Sequence, residues 1–359
     1  MFLERYEQVR RDLKLRNGLR EERKELIGAY FCHEYSYTSA ALMNPSIVPH
    51  PDQSGLTAGS LRVVMSLRAV GEGHISSIAF REAILKDDGS FDLLGQPPFS
   101  VAARATELPS PENGMSTTAV RFEEASLSGT VIFPFTDQQR NGLEDMRMVK
   151  LEESEDGAPV YCGTYTAYSG KDIQSELLIT SDFKTFRLQP MSGPAARNKG
   201  MALCPRKING QYAIIGRQDG ENLFYLTSDD LLHWEEGEKL ITPLYPWELV
   251  QMGNCGSPIE IDEGWLLLTH GVGAMRKYSI GAVLLDKDDP RKIIGRTVQP
   301  ILSHSDDNRE GYVPNAVYTC GAIANGRRLF IPYAVADSSI TFCWVELDEL
   351  MAEMIGEGV

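Results

Sequence analysis

The sequence predicts an all-β chain folded as a β-propeller, preceded by a helical extension and closed by a short C-terminal helix. Two observations carry that expectation. From about residue 41 to 346, short runs rich in β-branched and aromatic residues recur between turn residues, and helical periodicity is scarce. Within that region, Ile179-Thr180-Ser181-Asp182-Phe183-Lys184-Thr185-Phe186 returns about 47 residues later as Leu226-Thr227-Ser228-Asp229-Asp230-Leu231-Leu232-His233-Trp234. Leu284-Leu285-Asp286-Lys287-Asp288-Asp289-Pro290 and Leu85-Lys86-Asp87-Asp88-Gly89-Ser90-Phe91 are looser copies. Each reads as a strand ending in an Asp-rich turn. A period of roughly 40–50 residues is the spacing of four-stranded propeller blades, and about 300 residues at that period make five or six of them.

The elements follow in order. Residues 3 to 28 read as helix, because Leu3, Tyr6, Val9, Leu13 and Leu15 fall near one face, with Gly18 as a point of interruption. A charged helix of this kind is either a solvated surface or a dimer arm, and the sequence leaves both open, so a homo-oligomer stays among the partners. Strands are expected at Leu61–Leu67, Pro159–Tyr165, Tyr212–Ile215, Trp265–Thr269 and Leu329–Tyr333, and a last helix over Trp344–Met351. The chain therefore divides into an extension (1–40), a propeller carrying the catalytic site (41–346) and a helical tail (347–359).

Composition narrows the function. The chain is 42% hydrophobic and 24% charged, with a net charge of -15. That is globular composition without the basic footprint a nucleic-acid binder needs. The N-terminus has no apolar h-region and no run is long enough to span a bilayer, so a cytoplasmic protein with no membrane partner is expected. The six cysteines form no CxxC pair and read as reduced thiols; no metal site or cofactor is implied.

The chemistry concentrates at Gly142-Leu143-Glu144-Asp145-Met146-Arg147, two carboxylates and a guanidinium within six residues beside apolar runs. Alternation along a strand sends Glu144 and Asp145 to different faces, so one can hold a ligand while the other does proton chemistry. Polar clusters with aromatics recur: around Asn44, from Gly71 to Arg81, from Asn198 to Lys207, from Gly216 to Asn222, at Thr269-His270-Gly271, from Glu310 to Asn315, and from Tyr333 to Asp337. Carboxylates and amides bind hydroxyl pairs and aromatic faces cover ring CH groups, so such sets suit a sugar. His270 and His74 are ligand contacts or structural histidines on strand ends. Tyr245 and Trp247 are either a sugar platform or packing between blades.

Together these segments, from about Asn44 to Asp337, resemble glycoside hydrolase family 130, the β-mannoside phosphorylases and β-mannosidases with a five-bladed propeller. Glu144-Asp145-Met146-Arg147 is similar to the family's Glu-Asp-Pro-Arg segment, with Met146 in place of proline. The resemblance implies that Asp145 is the general acid and that Asn44, Ser77, Arg81, Glu144, Lys199, Arg206 and Asp219 line the sugar site. From the polar clusters, His270, Tyr333 and Asp337 are expected as further substrate contacts. Family phosphorylases hold phosphate with several basic residues, part of them a His-Arg pair; here that pair is Gly216-Arg217. Hydrolytic members tend to carry a glutamate near position 179, where this chain has Ile179.

The expectation is an inverting exo-acting glycoside hydrolase for β-linked manno-oligosaccharides, with β-1,2-linked ones as the expected substrate. Asp145 protonates the leaving oxygen, directly or through a substrate hydroxyl as the resemblance implies, and Glu221, alone or with Glu176, activates water on the opposite face. In that reading Glu176 and Glu221 repel phosphate. The alternatives are a β-mannoside phosphorylase that releases mannose 1-phosphate, using Arg147, Lys199, Arg206 and Arg217 as its anion site, and a sugar-binding propeller without activity.

Overall fold

The computed structural model describes residues 1–15, 18–110, 114–152, 159–304, 311 and 313–355. Glu310 and Tyr312, from one of the polar clusters, lie outside the described residues, as does the end of the tail.

The apolar runs become antiparallel strands in successive groups. Ala41–Pro49 pairs with Leu61–Val70, which pairs with Ser76–Leu85. Gly142–Leu151, Val160–Tyr168, Ile173–Thr180 and Thr185–Pro190 follow as a second meander. A third runs through Ala202–Leu203, Tyr212–Gly216, Leu223–Ser228 and Glu238–Ile241. Gln251–Asn254, Gly264–Val272, Tyr278–Leu285 and Ile293–Thr297 form a fourth. Val317–Tyr318, Arg328–Val335 and Ser339–Glu346 form a fifth. The first two groups are joined into one sheet.

Apolar layers lie between consecutive groups, because both faces of most strands are covered. Phe80, Tyr161 and Phe183 fill the first layer. Leu177, Ile214 and Trp234 fill the next. Tyr225 packs with Trp265 and Leu267, and Leu268 with Leu329 and Ile331. A fifth layer brings Phe330 back against Ile47, Val63 and Met65 of the first group. The sequence repeat marks the outer ends of these meanders. Asp182 accepts hydrogen bonds from the backbone N–H groups of Lys184 and Thr185. Asp230 accepts from Leu232 and His233, Asp286 from Asp288 and Asp289, and Asp88 from Ser90. The aromatics that follow, Phe183 and Trp234, are buried.

Two expected elements differ. The N-terminal helix is two helices, α1 (Phe2–Asp12) and α2 (Glu21–Tyr30), packed on each other. At the other end, the helix α3 covers Leu347–Glu353 only. Trp344, Val345 and Glu346 are strand, because Phe330 and Leu329 lie opposite Trp344 and Val345 and that pairing outweighs helical spacing. Trp247 is packing: a Cβ on Gly281 or Gly271 would come within 2.6 Å of its ring, so both positions must lack one. Its indole N–H donates to the Val298 carbonyl at 3.0 Å.

Candidate active site

The leading strands of the first two groups, Ala41–Pro49 and Gly142–Leu151, carry the same device. On Ala41–Pro49 the register shifts between Met43 and Ser46, and on the pairing of Gly142–Leu151 it shifts opposite Asp145. At these bulges Asn44 and Asp145 adopt φ values of 51° and 55°. Asparagine and aspartate tolerate this left-handed region better than other side-chain-bearing residues, and a bulge re-aims the side chain it carries. The two strands are stitched together by the Met148 N–H donating to Ser46 Oγ at 2.9 Å.

The bulges make Asn44 and Asp145 meet: Asn44 Nδ2 donates to Asp145 Oδ1 at 2.7 Å. They also overturn the expectation that Glu144 and Asp145 part company. Arg68 Nη2 donates to Glu144 Oε1 at 2.7 Å and Nη1 to Asp145 Oδ1 at 3.1 Å, so one guanidinium forks onto both. Lys199 Nζ takes the other Glu144 oxygen at 2.6 Å. Arg147 Nη1 pins the Asp145 carbonyl at 2.8 Å, while its Nε reaches Asn254 and its Nη2 reaches Tyr318, each at 2.7 Å. The His270 ring lies tilted against that of Tyr318, centroids 4.8 Å apart, and its Nε2 is 3.4 Å from Arg217 Nη1.

These contacts set the charges. Burial alone would raise the Asp145 carboxyl, but Arg68, Lys199 and Arg147 outweigh it and hold the group well below the usual carboxylate range. Burial, then Arg217 and Arg147, push His270 well below its ordinary value, so it is neutral. Asp337 goes the other way: burial and the nearby Asp145 charge push it up to about 6. Arg217 has no carboxylate partner among the described residues, and its Nε is buried without a hydrogen bond. An unpaired buried donor of this kind is costly unless a ligand completes it.

Asn44, Glu144, Asp145, Arg147, Lys199, Arg217, His270 and Asp337 therefore share one site. Other expected members are engaged elsewhere. Arg81 donates to the carbonyls of Phe80 and Ser128. Arg206 is forked onto Glu260 at 2.7 and 2.9 Å and stacks on Trp265. Tyr333 packs in the apolar layer with Cys343. The Ser77 hydroxyl bonds the Ala69 carbonyl, and it is Ser76 that meets Arg68, at 2.9 Å. Asp219 is exposed and spends its carboxylate capping the turn at Glu221 and Asn222; Glu221 itself is exposed. His74 is exposed too, on the turn after Gly71. A cavity of 1410 Å³ opens at the C-terminal ends of Ala41–Pro49 and Gly142–Leu151, lined by Val48, Lys150, Tyr212 and Glu260, and holds none of the clustered residues. Arg68, Asn254 and Tyr318 were missed by the sequence reading. An arginine directly after the run Leu61–Leu67 was the available signal for the first.

Glu176 is buried, accepting from Gln139 at 2.6 Å and from Tyr165 at 2.5 Å. Burial raises its carboxyl above the ordinary value. A carboxyl raised in the folded state binds its proton more tightly there, so folding stability falls as pH climbs through that raised value. Glu176→Gln keeps an acceptor for both donors and removes the titration. Its Tm is expected to match wild type in acid and to exceed it at pH 8; an equal Tm at both pH values would refute the desolvation argument.

An all-β scaffold that gathers buried carboxylates, an amide and several cations into one cluster has the groups of a carbohydrate-active enzyme. The chain belongs to glycoside hydrolase family 130: residues 113–355 match that family, described as beta-1,4-mannooligosaccharide phosphorylase. It is 32% identical over 219 residues to a 1,2-beta-oligomannan phosphorylase of Thermoanaerobacter sp. (strain X514), covering 60% of this chain and 72% of that protein. To a beta-1,2-mannobiose phosphorylase of Listeria innocua it is 31% identical over 232 residues, 62% of this chain and 63% of the relative. The fold matches the solved structure of a Listeria innocua beta-1,2-mannobiose phosphorylase in complex with beta-1,2-mannobiose. There the TM-score is 0.61 at 22% identity, covering 88% of this chain and 92% of that one.

Proposed function

We propose that the protein is an inverting β-mannoside phosphorylase that cleaves β-linked manno-oligosaccharides with phosphate and releases mannose 1-phosphate. This replaces hydrolysis as the preferred reading. The observation that carries it is Arg217: a part-buried cation with an unmet Nε donor, set against a neutral His270 instead of a carboxylate. Such a group suits an incoming phosphate, whose desolvation needs cationic donors. The carboxylates once expected to repel phosphate do not oppose this. Glu176 is turned onto Gln139 and Tyr165, and Glu221 projects from an exposed turn. The phosphorylase names of the relatives point the same way.

In this reading Asp145 is the acid for the departing oxygen, and Asn44, Glu144 and Lys199 grip sugar hydroxyls. Phosphate attacks the anomeric carbon from the opposite face, so no base is needed and the configuration inverts. We also propose that the strand groups are the five blades of a propeller within residues 41–346. The apolar layer that returns Phe330 to Ile47 and Val63 supports this, since it closes the ring.

The test is β-1,2- and β-1,4-mannobiose with and without phosphate. Cleavage should depend on phosphate and yield mannose 1-phosphate; free mannose at the same rate without phosphate would sink the reading. Arg217→Ala is expected to raise the KM for phosphate by about tenfold or more, as loss of a charge-assisted contact worth about 1.5–3 kcal/mol requires. An unchanged phosphate KM would remove Arg217 from the site.

A further inference from the structure

Asn254 ends the strand Gln251–Asn254 and is buried. Its side chain joins three strand groups. Oδ1 accepts from Arg147 Nε of the second group at 2.7 Å. Nδ2 donates to the carbonyl of Ile215, in the third group, at 2.9 Å, and to that of Gly200, in the segment leading into it. Chemistry fixes the amide's orientation: its N–H groups must face the two carbonyls and its oxygen the guanidinium. Each of the three partners adjoins a group of the site. Gly200 follows Lys199, whose Nζ holds Glu144 at 2.6 Å. Ile215 lies two residues before Arg217. Arg147 donates to the Asp145 carbonyl at 2.8 Å and so holds the bulge that carries the acid. The main chain at 254 reaches the same groups by another route. The His270 ring lies on Gly253, where a Cβ would come within 2.3 Å of it, and its Nδ1 is 3.3 Å from the Asn254 carbonyl. A carbonyl only accepts, so the proton of the neutral imidazole sits on Nδ1. Nε2 is then left as an acceptor for Arg217 Nη1, 3.4 Å away.

We infer that Asn254 is a positioning residue for both halves of the reaction: its amide oxygen holds Arg147 and with it the acid-bearing bulge, and its amide N–H groups hold the backbone that presents Arg217 to phosphate. The inference deepens the proposed function and rests on the roles given there to Asp145 and Arg217. In an inverting reaction the attacking and departing oxygens lie on opposite faces of one carbon. The groups that serve them here come from different strand groups, so their spacing must be set between groups and not within one. An error of about 1 Å in such spacing costs about 10²-fold in rate. Asparagine suits the post better than an aspartate of the same shape. It supplies two donors where aspartate has none, and it leaves the guanidinium charge unpaired. All three partners of Arg147 are neutral: the Asp145 carbonyl, the Asn254 amide and the Tyr318 hydroxyl. Its charge therefore stays available to the Asp145 carboxylate and to an incoming phosphate.

The experiment measures kcat and the phosphate KM on β-1,2-mannobiose for the full-length wild type, Asn254→Leu and Asn254→Asp. Leucine is close in size and removes all three side-chain bonds. Its kcat is expected to fall about tenfold or more and its phosphate KM to rise about tenfold. Aspartate keeps an oxygen for Arg147 but cannot donate to Ile215 or Gly200, and its charge pairs off the guanidinium. Its kcat is expected to return to within about fivefold of wild type while its phosphate KM stays about tenfold raised. A merely structural role would lower Tm and the active fraction, and so kcat, without moving the phosphate KM. The inference is overturned if folded Asn254→Leu keeps either wild-type constant, or if Asn254→Asp fails to separate the two. Should Asn254→Leu lose its cooperative unfolding transition, Asn254→Asp alone decides by the same split. Phosphate-dependent wild type with unmoved variants sinks the inference alone. A wild type that ignores phosphate, or mannobiose altogether, sinks the phosphorylase reading and this inference with it.

Discussion

Asp145→Asn is expected to lower kcat on β-mannosides by about 10²–10⁴-fold, the usual worth of a positioned acid, while the Kd for the sugar changes by less than about tenfold. The asparagine is isosteric and can still accept from Asn44 Nδ2, now at 2.7 Å from Asp145 Oδ1, so the bulge that carries it should persist. Glu144 keeps both of its cations, Arg68 at 2.7 Å and Lys199 at 2.6 Å, and so keeps its grip on a hydroxyl. What is lost is a group able to carry a proton to the leaving oxygen. Steady-state kinetics and calorimetric titration of mannobiose separate the two effects. Equal turnover by wild type and variant would show that Asp145 is not the acid; a collapse of sugar binding would show that its charge, and not its proton, matters.

The largest expected effect on stability is at Arg296→Met. Glu248 is fully buried and bonded to Arg296, and it also accepts from the backbone N–H groups of Leu244 and Tyr245 at 2.7 and 2.9 Å. This pair ties down the segment that wedges Trp247 over Gly271 and Gly281, next to the strand bearing His270. Removing one partner of a buried pair leaves an uncompensated charge, at a cost of about 3–5 kcal/mol. Denaturant unfolding measures it. Arg296→Met combined with Glu248→Gln should recover part of the loss, because no charge then stays stranded. A loss below about 1 kcal/mol in the single variant would mean that water reaches Glu248 and the pair is not sealed.

Much of the molecule was legible along the chain because it depends on local pattern. The alternating apolar runs gave the strands, and the recurring Asp turn gave their spacing, since a carboxylate capping its own backbone is a property of a few adjacent residues. Glu144-Asp145-Met146-Arg147 stood out as a site for the same reason. The failures are equally local in origin. Trp344 and Val345 looked helical until Phe330 and Leu329 claimed them as strand partners. Arg81 and Arg206 looked like sugar ligands, but a guanidinium takes whichever acceptor the neighbouring strand offers, and for these two that was a carbonyl pair and Glu260. Ser77 and Ser76 differ by one residue, which on a strand is the difference between two faces.

The sequence by itself determined that the chain is a β-rich member of a mannoside-active family, and it singled out Glu144-Asp145-Met146-Arg147 as the candidate centre. Only the tertiary structure decided the charge of that centre. Arg68, 77 residues away from Asp145, folds onto it and onto Glu144, and Lys199 reaches Glu144 from a third strand group. Electrostatic interaction depends on distance through space and on exclusion of water, and neither is written in the order of residues along the chain.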